Sequence, residues 1–382
     1  MKNILLLGAT GSIGDSVLDV ISQNQDKLNL IGISINSNVS KAKKIIQKFN
    51  PSHLYIEDSN SFNAFEKQPE LKLYNNKKGL EDIINLSEID IIVSAISGFA
   101  GLESTYISSR TGKTILLANK ESIVAGGDFI LSEAKKFNTT ILPIDSEHNA
   151  IFQCLPPDQD IQDVKKVTIT ASGGPFLNSD LSELQKVTKE QALSHPNWSM
   201  GSKISIDSAT LVNKCLELIE AKYLFNLDEK YFELVVHPQS IIHSIVTYLD
   251  GSSICQLSNP DMRVPIAHAL SGKNRLPLDF NALDFSSLNL SFQEFPKDRM
   301  QIQNLAREVC NVGGLSGVIF NAANEIAVDN FLKGQIKFTE IYDVIFRTFD
   351  ISIMSNEMSL DAINQMDIET RIKAEKVVKS IA

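Results

Sequence analysis

Three observations in the sequence predict an α/β protein with a doubly wound parallel sheet at its N-terminus, an α+β middle region and a helical C-terminal region. Short apolar runs alternate with helical stretches over the first 145 residues. A glycine-rich turn separates the first run from the first helix. From about Ile151 the period changes and does not return to strict alternation.

The elements follow in order. Strands are expected at Asn3–Leu7, Leu28–Ile35, His53–Ile56, Ile89–Ala95, Lys113–Ala118 and Thr140–Ile144, each a short apolar run. Helices are expected at Ile13–Gln23 and at Lys41–Phe49, the second stopped by Asn50-Pro51. In such a sheet ligands gather beyond the carboxyl ends of the strands. Further on come a strand at Lys166–Ala171, a turn at Gly173–Pro175 and a helix from Ser208 to Phe225, with Leu211, Cys215, Leu218, Ile219 and Leu224 on one face. Strands Phe232–Val236, Ser244–Leu249 and Ser253–Gln256 follow. Leu278 to about Pro296 has little periodicity, and beyond it the chain reads as helical to Ala382. The expected domains are 1–145, 146–277 and 297–382, with 278–296 as a linker.

Composition narrows the function. A chain of 382 residues has room for two or three domains and an active site. Lys and Arg number 36 against 46 Asp and Glu, a net charge of −10, which opposes a broad grip on nucleic acid or on an anionic membrane. No uncharged stretch exceeds sixteen residues, and the one from Val309 to Asn324 is too short and too polar to span a bilayer. The start runs from Lys2-Asn3 into Ile4-Leu5-Leu6-Leu7 and reads as a strand, not a signal peptide. Cys154, Cys215, Cys255 and Cys310 lack the spacing of a zinc site or a disulfide framework, so a cytoplasmic protein is expected.

The motifs carry the chemistry. Gly8-Ala9-Thr10-Gly11-Ser12-Ile13-Gly14 lies between strand and helix, where glycine allows close approach and the free N–H groups of a helix start complement a pyrophosphate. The second strand ends in Asn36-Ser37-Asn38 with no acid, which favours NADP(H) over NAD(H). Lys41, Lys43 and Lys44 could lie near a 2′-phosphate or simply form a solvated helix face. Asp145 and Glu147 follow the strand Thr140–Ile144 and offer hard oxygen ligands for Mg²⁺ or Mn²⁺. Asn213, Lys214 and Glu217 share a helix face, with lysine suited to phosphate and the acid to a metal. Ser172-Gly173-Gly174-Pro175 could form an anion-binding concavity. His195-Pro196-Asn197-Trp198-Ser199-Met200-Gly201 holds the only Trp and reads equally as core or as an active-site lid. His237 and His243 are read as structural.

These motifs resemble the 1-deoxy-D-xylulose 5-phosphate reductoisomerase family. So do Leu117-Ala118-Asn119-Lys120-Glu121-Ser122, the run from Asp145 to Phe152, His237-Pro238-Gln239-Ser240, Asn259-Pro260-Asp261-Met262-Arg263 and Asn321-Ala322-Ala323-Asn324-Glu325. The resemblance covers nearly the whole chain in order. It implies a Rossmann-like NADPH-binding domain, a catalytic domain with a lid and a helical third domain. The implied reaction makes 2-C-methyl-D-erythritol 4-phosphate from 1-deoxy-D-xylulose 5-phosphate with NADPH and a divalent metal, Mn²⁺ or Mg²⁺ with Co²⁺ as a further candidate, in non-mevalonate isoprenoid synthesis.

By the same resemblance, Thr10, Gly11, Ser12, Ile13, Asn38, Asn119, Glu121 and Gly201 would hold NADPH. Asp145, Glu147 and Glu217 would ligate the metal. Lys120, Ser146, Glu147, Ser172, His195, Trp198, Met200, Ser208, Asn213, Lys214 and Glu217 would line the substrate site, Glu147 and Lys120 assisting proton transfer. A retro-aldol and aldol sequence is favoured over a concerted ketol shift, and a homodimer is implied. Ser37 stands where the family often has a basic residue. Two other readings remain at this point. A simple NADP-dependent sugar-phosphate dehydrogenase would need no three-carboxylate site, and a silent NADP-binding regulator would be favoured by loss of one of the three acids.

Overall fold

Alternate residues of the first strand enter two different cores. Ile4 and Leu6 join one apolar cluster and Leu5 and Leu7 another, and all four are fully buried. A strand apolar on both sides must be covered on both sides, the condition for a parallel sheet flanked by helices. A computed structural model describes residues 1–382 except 157, 181, 199, 273, 354–357 and 382. The chain falls into two compact units. The first comprises Met1–Asn119, Ile130–Asn149 and Met262–Asn281, and the second Lys120–Phe129, Ala150–Asp261 and Ala282–Ala382.

The first unit holds seven strands: β1 (Lys2–Leu7), β2 (Leu28–Ile35), β3 (His53–Ile56), β4 (Lys72–Tyr74), β5 (Ile91–Ser94), β6 (Thr114–Leu117) and β7 (Thr140–Pro143). They lie in the order β4-β3-β2-β1-β5-β6-β7, all parallel. The order reverses at β1 and β5, with Leu5 opposite Ile92 and Leu6 opposite Val93, so the carboxyl ends of these two strands form the topological switch point. The six expected strands are present, and β4 is an additional edge strand. The helix Val39–Phe49 ends at Asn50, which takes a left-handed conformation (φ 49°). An unexpected helix, Arg263–Ser271, brings Ile266, Ala267, Ala269 and Leu270 into this core. Pro265 does not prevent it, because N–H groups in a first helical turn have no intrahelical partner.

In the second unit β8 (Val164–Ala171), β9 (Phe232–Val236), β10 (Ile242–Tyr248), β11 (Ser253–Leu257) and β12 (Gln293–Glu294) form a sheet ordered β11-β10-β8-β9-β12. Only the β8 and β9 pair is parallel. The expected helix from Ser208 to Phe225 is instead two, Ser202–Ala209 and Val212–Leu224, so Ser208 closes the first helix rather than opening the second. Leu211 breaks them with φ 63°. The Thr210 carbonyl is taken by the Tyr342 hydroxyl at 2.9 Å, which stabilises the break from a distant helix. Val212–Leu224 is buried nearly all round, not along one stripe. The helices Met300–Val312, Ser316–Leu332, Glu340–Asp350 and Leu360–Ile381 complete the unit.

Two glycines decide where Lys120–Phe129 sits in this unit. A Cβ on Gly127 would stand 2.6 Å from the Tyr223 ring, and one on Gly317 would stand 1.9 Å from the Val124 carbonyl oxygen. Only residues without side chains let these segments pack so closely. All four cysteines are free thiols. Among the described residues no helix is long and apolar enough to cross a membrane.

Candidate active site

The glycines of the β1 turn divide by cause. Gly8 has φ 83°, and a Cβ there would lie 2.5 Å from the Ala95 carbonyl oxygen; a Cβ on Gly14 would lie 2.5 Å from that of Ala9. Both are required by the chain itself. Gly11 is not: its φ is −82° and a Cβ would meet only the Gly8 oxygen, at 3.5 Å. Gly11 and Ser12 are exposed, Thr10 and Ile13 partly so, and the helix Ser12–Gln23 starts without a side-chain cap. The missing side chain therefore leaves uncapped N–H groups open to close approach, the feature a pyrophosphate needs.

Beyond β2, Asn38 caps the helix Val39–Phe49, its side chain accepting from the Lys41 amide at 3.1 Å. Lys41 turns back to the glycine turn, donating to the Thr10 carbonyl at 3.0 Å and pairing with Asp15 at 2.7 Å. Of the three lysines considered for a 2′-phosphate, Lys43 and Lys44 remain exposed. Beyond β6, buried Asn119 donates to the Gly98 carbonyl at 2.9 Å.

Beyond β7 stand the first two acids. Asp145 caps the helix Ser146–Cys154, one oxygen accepting from the amides of Glu147 at 3.0 Å and His148 at 3.2 Å. The Ser146 hydroxyl donates to Glu147 at 2.9 Å. The expected placement at a strand end becomes placement at a helix start, where positive backbone dipoles favour carboxylates. Thr10 to Ile13, Asn38, Asn119, Asp145, Ser146 and Glu147 are thus all supplied by the turns and helix starts that follow strands of the first unit.

In the second unit Lys120, Asn213, Lys214 and Glu217 form one cluster. Lys120 Nζ donates to Asn213 Oδ1 at 2.9 Å and to Glu217 Oε1 at 3.0 Å. Asn213 Nδ2 donates to the same Glu217 oxygen at 2.6 Å, and Lys214 pairs with the other. The expected sharing of a helix face by residues 213, 214 and 217 is met. Glu217 is fully buried, and Lys120 and Lys214 are 5% and 6% exposed. Both ammonium groups thus bond one buried carboxylate, each oxygen of Glu217 accepting from a lysine.

Ser172 and His195 meet in the same unit. His195 Nδ1 lies 3.1 Å from the Asn197 amide and 3.0 Å from that of Trp198, and Nε2 lies 2.9 Å from Ser172 Oγ. Two N–H donors on Nδ1 require it to be the acceptor, so the proton sits on Nε2 and is given to Ser172. Burial lowers the imidazole pKa, which favours this neutral form. Ser172 Oγ also accepts from the Gly174 amide at 3.2 Å, so its own hydrogen points elsewhere. Gly173 and Gly174 have φ of 86° and 67°, and a Cβ on Gly174 would lie 2.7 Å from the Ser208 carbonyl oxygen, so the turn sits against the end of Ser202–Ala209.

The segment around the only Trp is anchored at Asn197 as well as at His195. Asn197 donates to the Pro238 carbonyl at 2.7 Å and to Ser240 at 3.2 Å. Trp198 is half-buried, its ring 6.2 Å from that of His243. Met200 is half-buried and Gly201 is exposed, with nothing within 4 Å of a Cβ placed there. Ser199 lies outside the described residues. His237 bonds the Ser291 carbonyl at 2.8 Å and stacks on Phe292, and His243 bonds Ser258 at 3.1 Å, as structural imidazoles do.

Sequence reasoning missed Lys203. Its ammonium lies 2.8 Å from Glu121 and 2.9 Å from Asp207, and Asn324 donates to Asp207 at 2.8 Å. Burial pushes the Glu121 carboxyl up, but Lys203 outweighs it and the pKa is lowered. Burial prevails at Asp207, whose pKa is raised. The four-residue spacing of Lys203 and Asp207 was the available signal.

Comparison with known proteins gives the same answer along the whole chain. The family model described as 1-deoxy-D-xylulose 5-phosphate reductoisomerase matches residues 4–127, and the models of that enzyme's C-terminal domains match 141–225 and 257–373. The 1-deoxy-D-xylulose 5-phosphate reductoisomerase of Clostridium botulinum (strain Loch Maree) is 44% identical over 377 residues, 97% of this chain and 98% of the relative. That of Shewanella frigidimarina is 42% identical over the full length of both. A crystal structure of DOX-P reductoisomerase with NADPH, fosmidomycin and magnesium is 38% identical with a TM-score of 0.93, covering 99% of this chain and 98% of that one. The Zymomonas mobilis enzyme with NADPH is 40% identical with a TM-score of 0.91, covering 99% of each chain. The chain belongs to the 1-deoxy-D-xylulose 5-phosphate reductoisomerase family.

Proposed function

We propose that this chain converts 1-deoxy-D-xylulose 5-phosphate into 2-C-methyl-D-erythritol 4-phosphate, as an NADP-dependent oxidoreductase with isomerase activity in non-mevalonate isoprenoid synthesis. The observation that carries the proposal is the buried Lys120, Asn213, Lys214 and Glu217 cluster, in which two ammonium groups and an amide converge on one carboxylate. Solved relatives hold NADPH and magnesium, and the residues here fit both. Gly11 is a glycine the fold does not require. Asp145 and Glu147 of the first unit and Glu217 of the second supply carboxylate oxygens, the hard donors that Mg²⁺ or Mn²⁺ takes.

Asp145, Glu147 and Glu217 would hold the ion; Thr10, Gly11, Ser12, Ile13, Asn38, Asn119, Glu121 and Gly201 would hold the nucleotide. The ion supplies Lewis acidity toward a ketone and its neighbouring hydroxyl, and NADPH supplies hydride. Lys120 keeps a proton at Nζ beside the reacting oxygens, and Glu147, bonded by Ser146, takes up and returns one. Ser172, Ser208, Asn213 and Lys214 bind the phosphate, with the Ser172 hydrogen free to donate because His195 and the Gly174 amide occupy its lone pairs. Trp198 and Met200 belong to a lid that excludes water while the rearranged aldehyde awaits reduction.

The domain roles proposed are nucleotide binding for 1–145, catalysis for 146–277 and a helical cap for 297–382, joined by the linker 278–296. The protein is proposed to be a cytoplasmic homodimer. Leu249 and Ile254, 64% and 50% exposed at the β10 and β11 hairpin, support a partner surface there, and a monomer mass by light scattering at micromolar concentration would contradict it.

The deciding test is NADPH oxidation with this one substrate, with and without Mg²⁺ or Mn²⁺. Absence of oxidation with the metal present overturns the substrate assignment. Turnover that survives thorough chelation overturns the metal-dependent mechanism.

A further inference from the structure

Arg299 is 2% exposed, the one arginine fully buried among the described residues. Its Nη2 donates to the carbonyls of Phe176 at 2.8 Å and Ser179 at 3.0 Å. Nε and Nη1 have no hydrogen-bond partner among the described residues, and the nearest carboxylate oxygen, of Asp298, is 4.0 Å away. A buried cation so thinly compensated is a poor source of stability, and an apolar residue of similar volume would serve a core better. The two N–H bonds of Nη2, fixed in the guanidinium plane, do something an apolar side chain cannot, which is to hold two carbonyls of one loop at fixed separation.

That loop continues the Ser172 turn. From Ser172 the chain passes through Gly173 and Gly174, both left-handed, and then Pro175 to Phe176, whose ring meets Phe338 edge-on at 5.3 Å. Phe338 in turn packs on Phe331 at 5.6 Å. The glycines give the turn freedom, and the Phe176 ring and the Arg299 clamp at residues 176 and 179 remove it just beyond them. We propose that Arg299 is a positioning residue for Ser172. By clamping the Phe176 and Ser179 carbonyls it sets where the Ser172 hydroxyl and the following amides stand, and so sets affinity for the substrate phosphate. The inference rests on the reading of Ser172 as part of the phosphate site. A cavity of about 510 Å³, lined in part by Arg299, Ser182, Gln185 and Tyr342, borders the side chain, so a shorter residue at 299 can be hydrated and the variant can fold.

The test uses the full chain and two variants, Arg299→Lys and Arg299→Met, with the lysine as the conservative form that keeps charge but offers a single rotating donor group. Steady-state kinetics with 1-deoxy-D-xylulose 5-phosphate, NADPH titration and amide hydrogen exchange over residues 173–180 are measured together. The expected result for Arg299→Lys is a KM raised about tenfold with kcat within about twofold and NADPH affinity unchanged, together with faster exchange confined to that segment. Arg299→Met shows the same pattern, larger. Unchanged exchange overturns the proposal whether or not the chain uses this substrate. Faster exchange with unchanged KM also overturns it, as does a parallel loss of kcat, KM and NADPH affinity, which marks a general structural role. If the wild-type chain leaves this substrate untouched, the functional reading fails on its own, and the phosphate-affinity claim fails with it.

Discussion

Lys120 Nζ stands 3.0 Å from Glu217 Oε1, and the two side chains are 6% and 1% exposed. A pair so deeply buried is sensitive to loss of either charge, because the survivor is left uncompensated. Glu217→Gln preserves shape but removes the carboxylate to which both Lys120 and Lys214 pair. The expected outcome is loss of metal-dependent turnover by at least about 100-fold, with NADPH affinity unchanged in a fluorescence titration. Thermal unfolding should report about 3 kcal/mol of lost stability. Equal loss of turnover and NADPH binding would sink the assignment of Glu217 to the metal.

The three turn glycines should separate in experiment. Gly11→Ala is expected to fold with less than about 1 kcal/mol lost, while NADPH affinity falls about tenfold or more. Gly14→Ala forces a Cβ to 2.5 Å from the Ala9 oxygen and should cost about 2 kcal/mol of stability. Calorimetric unfolding set beside NADPH titration checks both, and a Gly11→Ala chain that binds NADPH normally contradicts the close-approach argument.

His195 predicts a pH dependence. Burial lowers its pKa below 6.5, so the neutral arrangement persists at that unfolded value and is lost only as pH falls through the lower folded one. Protonation puts a hydrogen on Nδ1 that faces the amides of Asn197 and Trp198. Substrate KM should therefore rise as pH falls from 8 to 5. The substrate's own phosphate titrates near about 6, so the measurement is the difference between wild type and His195→Gln, which lacks the imidazole. Identical pH profiles would remove His195 from this role.

Lys203 predicts a coupled effect. Lys203→Met removes the cation that Glu121 and Asp207 share and should destabilise by about 3 kcal/mol at neutral pH. A Lys203→Met, Asp207→Leu double variant should recover part of that loss, since removing both partners costs less than removing one. Additive losses in chemical denaturation would show that the pair is not coupled.

Much of this was legible in the sequence because the signals were local. Runs such as Ile4 to Leu7 announce a strand buried on both faces, and the spacing of Asn213, Lys214 and Glu217 announces a shared helix face. What was missed depended on distant partners. The three-residue strand Lys72–Tyr74 carries too little pattern and exists by pairing with β3. The break at Leu211 has no glycine to mark it, and Tyr342 supports it from 132 residues away. Lys203 and Arg299 look like ordinary surface charges until the fold buries Arg299 and sets Lys203 against two acids.

The return of Arg263–Ser271 to the first unit bears on how this protein can be taken apart. The chain passes between the units at 119/120, 129/130, 149/150, 261/262 and 281/282, so neither is a continuous stretch of gene. Asn119 and Lys120, peptide neighbours, belong to different units. A fragment ending at Asn149 would lack Ile266, Ala267, Ala269 and Leu270, and its sheet would expose the apolar surface they cover. Truncation libraries and split-protein reporters cut after the first sheet should therefore give aggregates, whereas fusing Met262–Asn281 behind residue 149 through a flexible tether restores the missing piece.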